Sequence, residues 1–190
     1  MPIFCRNKSM PITAESIQAN VSRVLATPQK MPMLSIVFRR LNSRQREMVS
    51  LLRRTSIFAT LTESELVEIL HLLYERVYAT GEVVFSEGEP GLGLYVVFKG
   101  EVEIGKLGQD SKGQLAQLGP GEVFGEVSFL DGGSRSTTVT AGVKTELIGF
   151  YRTELMDLLQ RKPVLASKIL LALARQISLR MRAMLQMVQS

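Results

Sequence analysis

Glu126 and Arg135 are the two side chains in this 190-residue sequence whose types and spacing suggest chemistry. They stand in the stretch Phe124-Gly125-Glu126-Val127-Ser128-Phe129-Leu130-Asp131-Gly132-Gly133-Ser134-Arg135-Ser136-Thr137-Thr138-Val139. Gly125 lets a ligand approach the main chain, and Glu126 to Leu130 can form a short helix whose first N–H groups point at an anion. Gly132-Gly133 then turns the chain back, and Arg135 opens the β-branched run Thr137-Thr138-Val139, which reads as a strand. Arg135 can therefore swing over the same short helix. A planar guanidinium suits two phosphate oxygens, and a carboxylate accepts a hydrogen bond from a hydroxyl, so the pair suits a sugar phosphate. An ion pair between Glu126 and Arg135 across a turn fits the spacing equally well.

The wider pattern separates these readings. The stretch resembles the phosphate-binding cassette of the cyclic-nucleotide-binding domain family, the sensor shared by catabolite activator proteins and regulatory subunits of protein kinase A. The family pattern F-G-E-(L/I)-(A/S)-(L/F), then R-x-x-T-V after a short spacer, appears here as Phe124-Gly125-Glu126-Val127-Ser128-Phe129 and Arg135-Ser136-Thr137-Thr138-Val139. The segments Gly81-Glu82-Val83-Val84, Gly88, Leu94-Tyr95-Val96-Val97, Gly100-Glu101-Val102 and Gly119-Pro120-Gly121-Glu122-Val123 extend the resemblance to residues 53–185.

The resemblance implies a role for each residue. Glu126 takes the ribose 2′-hydroxyl, and Arg135 takes the cyclic phosphate with main-chain N–H groups around Gly125, Val127 and Ser128. Phe124, Ser136 and Thr137 complete the site. Arg180 falls where some members place a base-contacting residue; a solvated arginine is the other reading. Ser136 leans the expected ligand toward cAMP, with cGMP second. Ser134 departs from a frequent proline, and Ala116 offers no hydroxyl to a base.

Positioning such a cassette takes a scaffold, and the sequence around it supplies one. Thr62-Glu63-Ser64-Glu65 reads as a capping box, opening a helix through about Val77 that buries Leu66, Ile69, Leu70, Leu73 and Val77. From Thr80 the pattern changes to short strands broken by glycines: Val83–Phe85, Leu94–Phe98, Glu101–Ile104, Gln114–Leu118, Thr137–Val143 and Glu146–Tyr151. A helix over Thr153–Gln160 follows, then one from Pro163 to Val188 with an apolar stripe at Ile169, Leu170, Leu173, Ile177, Met181, Met184 and Val188. The stripe reads as core packing. The series Leu170, Leu173, Ile177, Arg180, Met184 and Met187 also approximates a dimer seam over about two and a half heptads.

The expected fold is α+β, mainly β: an antiparallel β-roll or jelly roll with N-terminal helices, a short cassette helix and a long C-terminal helix. Residues 1–52 read as a basic helical extension, with helices over Thr13–Leu25 and from Asn42 or Ser43 through Arg54. Residues 53–190 read as the sensor domain, with its β-roll at 80–151 and its C-terminal helices at 153–188.

Composition bounds the function. The net charge of +5 divides into +8 over residues 1–60, −8 over 61–151 and +5 over 152–190. Basic flanks suit nucleic acid, anionic lipid or an acidic partner, or are simply solvated faces. The single cysteine, Cys5, excludes an internal disulfide and fits a reducing, cytoplasmic setting. No run of eighteen apolar residues and no signal-peptide core is present, and contact of the basic arm with a membrane is the minor expectation. His71, the sole histidine, has no patterned partner and reads as structural. With no catalytic set, metal cluster or Walker loop, the sequence predicts neither an enzyme nor a metal or cofactor. No helix-turn-helix pattern follows the last helix, so specific DNA binding is not expected. What remains is a stand-alone cyclic-nucleotide receptor signalling to a protein partner or a second copy through its C-terminal helix and N-terminal arm. The alternative is an interaction module that keeps the fold without the ligand.

Overall fold

The computed structural model describes residues 41–105 and 114–188. The expected helix at Thr13–Leu25 and the rest of the arm before Leu41 lie outside them. Two helices come first: α1 (Ser43–Leu52) and α2 (Glu63–Leu70). Both begin at reciprocal caps, because a helix leaves its first N–H groups without internal partners. The Gln45 amide donates to the Asn42 side chain at 2.8 Å while the Asn42 amide donates to the Gln45 side chain at 3.0 Å. Thr62 and Glu65 repeat this exchange at the start of α2.

The helix expected to run to Val77 stops at Leu70, with exposed His71 as its C-cap. Residues Leu73–Tyr78 form strand β1 instead, paired antiparallel with β8 (Thr145–Tyr151) from Leu73 opposite Phe150 to Tyr78 opposite Thr145. The four-residue spacing of Leu73 and Val77 imitated a helical face, yet Val77 is 55% exposed. Tyr74, Val77 and Tyr78 favour a pleated strand, and β8 needs a partner on that side.

The remaining strands are β2 (Val83–Phe85), β3 (Gly93–Lys99), β4 (Val102–Gly105), β5 (Gln114–Leu118), β6 (Val123–Phe124) and β7 (Thr138–Ala141). They form two four-stranded antiparallel sheets, ordered β1-β8-β3-β6 and β2-β7-β4-β5. The strand expected over Thr137–Val143 is shorter at both ends, and two-residue β6 has no pattern of its own.

Side chains alternate across a strand, so β3 and β8 contribute to two cores. Leu94, Val96 and Phe98, with Ile148 and Phe150, pack against the helices, joining Leu52, Phe58, Leu66 and Ile69. Val97 and Leu147 face the other way, into the space between the sheets, with Phe85, Val102, Phe124, Val139 and Ala141. This double burial explains why Leu94 to Phe98 reads as an unbroken apolar run. Each fully buried aromatic or aliphatic side chain contributes about 1.5–3 kcal/mol.

Helix α3 (Glu126–Asp131) links β6 of one sheet to β7 of the other, and α4 (Arg152–Arg161) and α5 (Pro163–Val188) close the fold. The apolar stripe of α5 packs as expected in its first half only. Leu165, Ala166, Ile169, Ala172 and Leu173 are buried, whereas Met181 and Met184 are 61% and 65% exposed. Among the described residues, no helix is long and apolar enough to cross a membrane.

Candidate functional site

The site is built where the chain leaves one sheet for the other. Gly125, the N-cap of α3, has φ +76°, and a Cβ there would lie 2.6 Å from Arg135 Nη1. Glycine is therefore needed twice over, for the left-handed backbone and for the approach of the guanidinium. Gly132, φ +74°, ends α3. The segment after it is pinned against residues 88–91: the Arg135 amide donates to Glu89 O at 2.8 Å, the Gly88 amide to Arg135 O at 2.9 Å, and the Gly91 amide to Gly133 O at 3.1 Å. Ser134, at the position of the frequent proline, bridges to Pro90.

Held in this way, Arg135 turns inward and is 4% exposed. Nη1 donates to Gly125 O at 3.0 Å and Ser128 Oγ at 2.9 Å, and Nη2 donates to Gly93 O at 2.6 Å. Its guanidinium lies 4.0 Å from the centroid of the Phe85 ring, beside the cluster Phe85, Tyr95 and Phe124. A cation over an aromatic face is favourable, more so when desolvated. Nε has no hydrogen-bond partner, and among the described residues no carboxylate lies within ion-pair distance of the guanidinium. Burial pulls the Arg135 pKa below its ordinary value, and Tyr95, Glu89 and Glu126 offset part of that effect. A buried cation without a counter-ion is costly.

Glu126, 3% exposed, does not pair with Arg135. It pairs with Arg180 of α5, whose Nη1 donates to Glu126 Oε1 and whose Nη2 donates to Val123 O at 2.7 Å. The Glu126–Arg135 ion pair considered from the spacing is thus not formed, and Arg180, 43% exposed, is not merely solvated.

These groups line one cavity of about 180 Å³. All nine residues singled out in the sequence, Phe124, Gly125, Glu126, Val127, Ser128, Arg135, Ser136, Thr137 and Arg180, line it. So do Val139, the last residue of the cassette pattern, and Phe85 and Ile104, which the sequence marks only as strand residues. Strand alternation places Phe85 inward, but nothing in the sequence marked it as the ring beneath Arg135, and the Gly93 carbonyl is a backbone group without a sequence signal. Among the described residues, no group of three or more His, Cys, Asp or Glu is placed to hold a metal ion.

Residues 75–162 match the family model described as the cyclic nucleotide-binding domain. Those residues are thus a cyclic nucleotide-binding domain. Among curated relatives, the cyclic AMP receptor protein of Thermus thermophilus is 35% identical over 128 residues, covering 66% of this chain and 59% of that protein. This chain therefore spans little more than half of that receptor. Among solved structures, the N-terminal domain of a transcriptional regulator from Streptomyces coelicolor is 34% identical with a TM-score of 0.61, covering 70% of this chain and 94% of that one. The regulatory domain of Toxoplasma gondii protein kinase A, crystallised with cAMP, is 26% identical with a TM-score of 0.56, covering 62% and 45%. The cavity of this cyclic nucleotide-binding domain is lined both by buried Arg135 and by a buried carboxylate, Glu126, that pairs with Arg180.

Proposed function

We propose that this cyclic nucleotide-binding domain is a regulatory sensor that takes a cyclic nucleotide, cAMP before cGMP, into the cavity between Arg135 and Glu126. The observation that carries the reading is buried Arg135, which has an unpaired Nε and no ion-pair partner among the described residues. A cyclic phosphate would supply the missing charge and acceptors, and bidentate guanidinium–phosphate contacts are strong. Main-chain N–H groups of Gly125 to Ser128 would assist it. Glu126 would accept the ribose 2′-hydroxyl, with Phe124, Val127, Ser136, Thr137 and Arg180 forming the walls. The preference for cAMP rests on Ser136 and on relatives whose names and titles speak of cAMP.

No catalytic chemistry is assigned to the chain; binding is its activity, in the manner of its regulatory relatives. The output runs through α5, with an N-terminal arm as a second element. Leu179, Met181, Met184 and Leu185 are exposed on α5 and suit a protein partner or a second copy. A ligand can bias that helix only through its greater affinity for one of its positions.

The 2′-hydroxyl contact gives a direct test. By calorimetry, 2′-deoxy-cAMP should bind the native chain about tenfold more weakly than cAMP, the worth of one hydrogen bond to a charged group, and Glu126→Gln should erase most of that difference. Equal affinities of the native chain for both nucleotides would remove Glu126 from the proposed role.

A further inference from the structure

Tyr74, Leu92 and Met156 stand far apart in the sequence, yet all three are exposed and line one open groove of about 750 Å³. Strand β1 supplies Tyr74, the turn before β3 supplies Leu92, and the first turns of α4 supply Met156. No residue lines both this groove and the cavity that holds Arg135. Single exposed apolar side chains need no explanation, but several converging on one concavity do. The volume falls within the roughly 300–1,000 Å³ of sites that take small organic ligands.

The apolar wall of the groove is largely aromatic. Tyr74 packs edge to face on Tyr151, with ring centroids 5.2 Å apart. Such a pair leaves ring surface for a third ring, and the Met156 thioether suits an aromatic edge. The groove holds two charged side chains, and one of them is already answered. Glu154 accepts hydrogen bonds from the Tyr74 hydroxyl at 3.2 Å and the Thr153 hydroxyl at 2.7 Å. Arg152 is half-buried, and among the described residues its guanidinium has no hydrogen bond, ion pair or ring contact. It lies against Gly132, the residue that ends α3, where an added Cβ would collide with Arg152 Nη1. Packing, rather than a counter-ion, places this cation, and a cation partly withdrawn from water without a partner is unfavourable.

From the unanswered charge beside two rings, we infer that the groove is a second ligand site, for a small aromatic acid. The Arg152 guanidinium takes the carboxylate of the acid, and its ring lies against the Tyr74–Tyr151 pair with Leu92 and Met156 at its edges. A bidentate guanidinium–carboxylate contact fixes the direction of the ligand, while the rings and apolar side chains supply most of the contact area. Glu154 sets the charge limit: a second acidic group on the ligand would meet a carboxylate in the same groove and be repelled. Nothing in this inference requires a cyclic nucleotide in the other cavity.

The test is a titration of the isotope-labelled chain, followed by its amide NMR shifts, with 2-naphthylacetate and with the neutral 2-naphthylacetamide. The acid should bind with a Kd of about 1 mM or tighter, the scale expected of a ligand this small, and shift the amides of Leu92, Gly132 and Thr153. The amide should bind about tenfold more weakly, the worth of one charge-assisted contact. Arg152→Met keeps an apolar stem and removes the charge, so it should bind the acid about as weakly as the native chain binds the amide. Leu92→Asp, at an exposed position where folding is not at stake, should weaken both probes and the acid more. Absence of shifts at about 10 mM acid, equal affinities of the native chain for acid and amide, or undiminished acid binding in both variants would overturn the site. So would shifts centred on Gly125, Val127 and Ser136, which would put the carboxylate at Arg135 instead.

Discussion

Gly125→Ala separates backbone strain from the specific fit of the cradle. Gly125 and Gly81 have similar left-handed backbones, φ +76° and +80°, so an added Cβ is strained at either site by about 1–2 kcal/mol. At Gly81 the new Cβ meets nothing within 4 Å, whereas at Gly125 it meets Arg135 Nη1 at 2.6 Å and Gly93 O at 3.3 Å. Arg135 must then give up its hydrogen bond to Gly125 O, a charge-assisted bond whose loss costs about 1.5–3 kcal/mol. Gly125→Ala should therefore be about 2 kcal/mol less stable than Gly81→Ala, a gap of about 4–8 °C in melting temperature for a chain of this size. Denaturant unfolding gives the energies, and calorimetry with cAMP gives the consequence. Gly81→Ala should bind like the native chain, and Gly125→Ala about ten- to a hundredfold more weakly, because the displaced guanidinium no longer faces the phosphate. Equal stability losses in the two variants, or native affinity in Gly125→Ala, would refute the fit of Arg135 against Gly125.

Two further predictions concern pH. Burial, more than the neighbouring Tyr95, pushes the Tyr78 hydroxyl up to about 12 from an ordinary value of 10.0. Its contribution to stability is thus complete below pH 10 and lost between pH 10 and 12, an effect of about 2–3 kcal/mol. Tyr78→Phe should flatten that alkaline fall in denaturation midpoints, and parallel falls in the two proteins would sink the assignment. Burial of Glu65 alone would raise its pKa, but hydrogen bonds from Lys168 and from the Thr62 amide and hydroxyl outweigh it and hold the carboxyl below its ordinary value of 4.5. That stability is present above pH 4.5 and disappears as pH falls through the lowered value, so Lys168→Met should weaken the acid dependence of unfolding. An unchanged acid limb would show that the bond between α2 and α5 contributes little.

Much of this architecture is legible in the sequence because it rests on local rules. Asn42, Thr62 and Pro163 mark helix starts through capping and the fixed geometry of proline, and α1, α2 and α5 begin at those starts. The glycine-punctuated β segments appear within a residue or two at each end, because turns and alternation are encoded next to one another. The misread segment, Leu73–Tyr78, is one in which pairing with distant β8 overrides a local helical spacing. The exposure of Met181 and Met184 was equally hidden, since the stripe runs on after the core it would cover has ended. At the site, the nine residues picked from the cassette and the last helix do converge on one cavity. Their connections were not legible: Arg135 bonds to carbonyls of Gly93 and Gly125, and Glu126 pairs 54 residues away with Arg180. Backbone acceptors and long-range partners leave no local pattern.

Buried, unpaired Arg135 is the proposed seat of a cyclic phosphate. Calorimetric titration of the native chain, stripped of bound nucleotide, with cAMP and cGMP beside Arg135→Ala tests it most directly. The native chain should bind cAMP saturably, and Arg135→Ala should bind it about ten- to a hundredfold or more weakly, the worth of a charge-assisted contact. Equal affinity in the two proteins, or no binding by the native chain with either nucleotide, would contradict it.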